Sequence, residues 1–141
     1  MAGKKVPEIY CWRTRTGRLT VYSASTERGA IRTCLEIDGC NDPVPIFKRL
    51  FPRAMVVEDY SMSQPVVKAV EAALSNRSAE ALPPMDLRVT PFQRSVLEAI
   101  TAIPYGETKT YGEVAAMVGK PAGARAVGQV MGKNPLPLIF P

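Results

Sequence analysis

The residues of this 141-residue chain that could do chemistry begin with Arg125, the only long cation between Ala122 and Gly132. Its neighbours Ala122, Gly123, Ala124, Ala126 and Gly128 are small and leave a nearly bare surface. Such a surface lets a backbone come close to something large. One arginine projecting from it suits insertion into a nucleic-acid groove, where a guanidinium meets bases and phosphates. The competing reading is tight helix–helix packing with Arg125 merely solvated. Cys11, Cys34 and Cys40 are odd in number and lack a Cys-x-x-Cys spacing, which argues against a disulfide framework and against a zinc knuckle. A thiol with an ordinary pKa of about 8.5 is mostly protonated at neutral pH, so nucleophilic use needs a partner base. The chain has no histidine to serve as one. Cys11 and Cys34 read instead as small strand residues. Asp38, Asp42, Glu58 and Asp59 resemble a nuclease metal set only superficially and read as scattered surface carboxylates. No metal and no cofactor is expected.

The elements that must hold Arg125 are written plainly. Thr110 and Glu113 have the spacing of a capping box, and Tyr111 follows the cap. Val114, Ala115 and Val118 share a face, and Gly119 stands where a helix stops. Gly119 to Gly123 makes a turn, and a second helix runs from about Ala122 to Gly132, so the whole reads as a helix-turn-helix. Upstream, Thr90 and Gln93 form a second capping box with Pro91 at the first helical position, and Phe92, Val96, Leu97 and Ile100 make that helix's inner stripe. Pro104-Tyr105-Gly106 then turns the chain into a short extended segment, Glu107 to Lys109.

From Glu8 to Ile37 the period is two. This predicts a three-stranded antiparallel meander with one buried face, carrying Tyr10, Trp12, Leu19, Val21, Ile31, Thr33, Leu35 and Ile37 in alternation. Gly39 to Pro45 reads as a loop, Ile46 to Phe51 as a short helix ended by Pro52, and Ala54 to Glu58 as a further strand. Ser63 to Asn76 reads as a helix with Val66, Val67, Val70, Ala73 and Leu74 inward. Asn76 to Pro84 is polar and proline-bearing, as expected of an interdomain linker on the surface.

Composition narrows the function class. A hydrophobic content of 46% with 22% charged residues makes a folded chain the expectation rather than a disordered one. A net charge of +5 favours a polyanionic partner. No apolar run reaches membrane-spanning length, and Lys4 and Lys5 lead into Val-Pro-Glu rather than an apolar core, so a cytoplasmic protein is expected, nucleoid-associated if bacterial.

The run from Ile103 to Pro141 resembles the C-terminal domain of the O6-alkylguanine-DNA alkyltransferases, also called methylated-DNA–protein-cysteine methyltransferases. Pro104-Tyr105-Gly106, Tyr111, Ala115, Arg125-Ala126-Val127-Gly128 and Asn134-Pro135 fall in that family's register. The layout of the N-terminal half and the junction Asp86 to Gln93 are also similar to bacterial members. The resemblance implies an α+β fold: a ribonuclease-H-like antiparallel sheet with helices over residues 1–84, linker included, then a winged-helix-like helix-turn-helix domain over residues 85–141. Glu107 to Lys109 would belong to its wing.

The function implied is DNA repair by transfer of an alkyl group from O6-alkylguanine in duplex DNA to a protein cysteine, by a monomer. Carried over residue by residue, Tyr111 crowds the phosphate of the damaged nucleotide as it rotates out. Arg125 takes the vacated place in the base stack. Ala124, Gly128 and Lys120 join them on the DNA face, and Asn134 with Pro135 holds the turn into the active-site strand. The family's acceptor cysteine would come directly after Pro141 and its histidine one residue later. Neither is among the 141 residues, so this chain is expected to be inactive alone. Two further readings stay open, a catalytically dead DNA-binding relic or regulator, and one half of a split alkyltransferase.

Overall fold

Strand periodicity near the N-terminus becomes β1 (Glu8–Thr16), β2 (Leu19–Thr26) and β3 (Gly29–Ile37), paired antiparallel in succession. The computed structural model describes residues 6–75, 82–104 and 106–137. The chain divides into two units, Met1–Leu87 and Arg88–Pro141.

In the first unit a fourth strand, β4 (Met55–Glu58), pairs with β1 in parallel, giving the order β3-β2-β1-β4. The sheet is therefore mixed rather than wholly antiparallel. After β3 the chain crosses over through α1 (Pro43–Leu50) and re-enters beside β1 running the same way. That helix starts earlier than the sequence suggests and takes in part of the expected loop. Asp42 accepts from the Val44 N–H at 3.0 Å, while Pro43 and Pro45 occupy the first turn, where a helix has no internal partner for N–H groups.

Phe47 of α1 packs into a core with Ile9, Cys11, Tyr22, Ala24 and Val56. By strand alternation Trp12 points to the opposite side of the sheet, where its ring centroid lies 5.1 Å from that of Tyr60 in α2 (Tyr60–Leu74). The expected single buried face is thus corrected to two. Helices cover both, and β2 is buried from Thr20 to Ser25. Leu35 and Ile37, expected inside, are 46% and 69% exposed, because α2 lies over β1 and β2 more than over the edge strand β3.

Helix α2 also begins ahead of expectation. Asp59 caps it by accepting from the Met62 N–H at 3.0 Å, and the helix tolerates Pro65 beyond its first turn. Val66, Val67 and Val70 are buried as expected, with Ala73 and Leu74 half-buried. Of the expected linker, residues 76–81 lie outside the described residues. Its last part does not run free: Pro83 is buried, and the Pro84 carbonyl accepts from the Ala30 N–H at 2.8 Å. The Asp86 N–H donates to the Ala30 carbonyl at 2.9 Å, and the Thr26 hydroxyl donates to the Asp86 carboxylate at 2.7 Å. An edge strand has backbone groups to satisfy, and this segment satisfies them.

The four candidate carboxylates do not converge. Asp42 and Asp59 cap helices, Glu58 is exposed on β4, and Asp38 pairs with Arg18, whose guanidinium holds the carboxyl below the usual range. Among the described residues no cluster of three or more His, Cys, Asp or Glu is placed to hold a metal ion, and no helix is long and apolar enough to cross a membrane.

The second unit holds α3 (Pro91–Thr101), α4 (Tyr111–Met117) and α5 (Ala124–Gly132). Val96, Leu97 and Ile100 of α3 are buried, as are Val114 and Ala115 of α4, Val127 and Val130 of α5, and Leu136 beyond it. Both capping boxes form, Thr90 with Gln93 and Thr110 with Glu113. Glu107 to Lys109, expected in the wing, is exposed and irregular, and among the described residues no neighbouring strand supplies the backbone partners a strand needs. Tyr105 lies outside the described residues.

Candidate nucleic-acid interface

The interface is built from the ends of two helices. Thr110 starts α4 by accepting the Glu113 N–H at 3.0 Å, and the Glu113 carboxylate returns to the Thr110 N–H at 3.4 Å. The cap fixes Tyr111 as the first helical residue. At the far end the Lys120 N–H donates to the Ala115 carbonyl at 2.8 Å and the Gly119 N–H to the Ala116 carbonyl at 3.1 Å. This pair of bonds is a Schellman motif, and it needs the φ of +78° that Gly119 takes. The Gly123 N–H then closes the turn on the Lys120 carbonyl at 2.8 Å. Helix α5 starts at Ala124, two residues later than expected, with Gly123 as an N-cap that offers no side chain.

This arrangement brings five of the candidates onto α4, α5 and the turn between them. Arg125 is exposed on the first turn of α5, next to half-buried Ala124, and among the described residues its guanidinium has no ion-pair partner. Gly128, three residues on, shares its face. The Tyr111 ring, 53% exposed, reaches across from α4 onto Gly128: a Cβ there would stand 3.1 Å from its Cε2. Lys120 is exposed in the turn between the helices.

Asn134 and Pro135 belong to the other end of α5 and do not join this group. The Asn134 side-chain carbonyl accepts from the Leu136 N–H at 2.9 Å and so folds the turn that buries Leu136 completely. Leu136 is a residue that sequence reasoning passed over; its one signal is an apolar side chain held between two prolines.

The cysteines are elsewhere, in the first unit. Cys11 is fully buried, and burial pushes its thiol up to about 12, with the Glu58 and Asp42 charges adding to the shift. Cys34 is half-buried and Cys40 exposed.

Residues 91–141 match the family model described as 6-O-methylguanine DNA methyltransferase, DNA binding domain. The inducible methylated-DNA–protein-cysteine methyltransferase of Bacillus subtilis is 31% identical over 120 residues, which cover 85% of this chain and 67% of that protein. The chain belongs to the O6-alkylguanine-DNA alkyltransferase family. The regulatory protein ada of Salmonella typhimurium, another relative, is 36% identical over 84% of this chain, which spans only 33% of that protein's length. In three dimensions a crystal structure of Mycobacterium tuberculosis OGT in complex with DNA superposes with a TM-score of 0.66 at 28% identity, covering 95% of this chain and 74% of that one. The family match encloses Tyr111, Lys120, Ala124, Arg125, Gly128, Asn134 and Pro135, so every candidate lies inside the part shared with alkyltransferases.

Proposed function

We propose that the second unit engages duplex DNA carrying O6-alkylguanine. Helix α5 enters the minor groove, Arg125 takes the place of the extruded base and Tyr111 crowds its phosphate. The observation that carries this is an exposed arginine, unpaired among the described residues, on a helix of small residues beside a half-exposed tyrosine ring. Extruding a base costs a few kcal/mol, least where alkylation has already weakened pairing, and a cation filling the gap offsets part of it. Charge favours the same partner. Arg88, Arg94, Lys109, Lys120, Arg125 and Lys133 stand against Glu98, Glu107 and Glu113, six minus three, for a net +3 over residues 88–141. The DNA complex of the mycobacterial relative supports the partner, and because Arg125, Tyr111 and Gly128 come from one chain, a monomer suffices.

In the family's reaction the alkyl group passes from guanine O6 to a protein cysteine. None of the three cysteines here is proposed as that acceptor: Cys11 is buried and held protonated, all three lie in the first unit, and no histidine is present to take a thiol proton. These 141 residues bind damaged DNA without themselves taking up the alkyl group.

Duplex binding by the full chain and by Arg125→Ala is the direct test. The substitution is expected to weaken binding by about 1 to 3 kcal/mol, and affinity is expected to fall as salt is added, because phosphate contacts release counterions. Equal affinity for the two proteins would leave Arg125 a solvated surface charge and sink the proposal.

A further inference from the structure

We propose that Gly128 is a positioning residue for Tyr111, its missing side chain being the seat on which the tyrosine ring rests. The inference rests on the reading of Tyr111 as a DNA-engaging residue and assigns Gly128 a different task from the bare-surface role suggested by the sequence. A Cβ placed on Gly128 would meet Cε2 and Cδ2 of Tyr111 at 3.1 and 3.2 Å. Carbon atoms in ordinary contact stand about 3.5–4.0 Å apart, so a side chain at Gly128 forces the ring to shift.

The small residues of α5 are therefore not equivalent. Gly132 lies four residues further along the same stripe, and a Cβ there would meet nothing within 4 Å. Tyr111 has little other freedom. Its backbone is fixed as the first residue of α4 by the capping box, so the ring's position depends on χ1 and on what it rests against. Gly128 and Arg125 share a face of α5, and the seat thus holds the tyrosine ring beside the arginine that is to enter the stack.

The two roles for Gly128 predict different couplings. If Gly128 seats the ring, Gly128→Ala moves Tyr111 and weakens DNA binding through it. The same change removes a glycine from a helix interior, which on propensity alone makes α5 more stable. Against that gain stands the 3.1 Å approach to the Tyr111 ring, so the coupling to Tyr111, and not the net change in stability, separates the two roles. If Gly128 instead lets DNA approach the helix directly, the alanine weakens binding whether or not Tyr111 is present.

The test is a double-mutant cycle on the full chain with an O6-methylguanine duplex, at low salt so that phosphate contacts keep every affinity measurable. Gly128→Ala is expected to weaken binding on the order of tenfold in the unmutated background, within the usual range for coupled neighbours. In the Tyr111→Ala background it is expected to change nothing, and Gly132→Ala is the control expected to bind as the unmutated chain does. The Gly128 Hα resonance should carry a ring-current shift that Tyr111→Ala abolishes. Equal losses in both backgrounds, or an unshifted Hα, overturn the proposal. Absence of duplex binding by the unmutated chain would overturn the function proposed above and, with it, the role of the seat in DNA engagement; the Hα shift separately decides whether the seat exists.

Discussion

At the scale of single residues, side chains that look alike in the sequence have different work. Gly128 and Gly132 occupy one stripe, yet only Gly128 has a ring against it. Asn134 before Pro135 reads as a turn residue, and the fold gives that turn a purpose, since its side chain bonds the Leu136 N–H and Leu136 is fully buried. Replacing Asn134 with alanine removes an acceptor from a part-buried backbone donor. We expect the unfolding free energy of the second unit to fall by about 1 kcal/mol, read from a urea transition. An unchanged midpoint at unchanged slope would mean that water replaces the amide without loss.

At the scale of elements, local chemistry in the sequence locates the helix ends that a capping box or a stop glycine marks. Thr90, Thr110 and Gly119 all act where their positions suggest. The helices that begin early, α1 and α2, also start at caps, Asp42 and Asp59, but with Pro45 and Met62 in place of a reciprocal Glu or Gln three residues on, the two carboxylates read as surface charges. Thr110→Ala is expected to cost about 1 kcal/mol, and Thr110→Ser to cost much less, both by thermal unfolding of the full chain. Gly119→Ala is expected to be destabilising as well, by roughly 1 to 3 kcal/mol, since its φ of +78° strains any residue with a Cβ. A stable Gly119→Ala variant would mean that α4 can end without the Schellman motif.

For the whole molecule, the proposed separation between a DNA-engaging second unit and a first unit holding all three cysteines makes a prediction about chemistry. Incubation with an O6-methylguanine duplex should leave the intact mass of the 141-residue chain unchanged. A one-methyl increase mapped to Cys11, Cys34 or Cys40 would overturn the claim that none of them is an acceptor. By itself the sequence determined the family, the α+β class, the helix-turn-helix with its caps and the exposure of Arg125, because each rests on residues near one another in the chain: three apart for a capping box, one turn apart for a helix stripe. Tertiary structure alone decided that the sheet is covered on both faces, that β4 runs parallel to β1, that the segment after residue 82 docks on β3, and that Tyr111 rests on Gly128. Each of these joins residues distant in sequence, and periodicity can say that a face is buried without saying what lies against it.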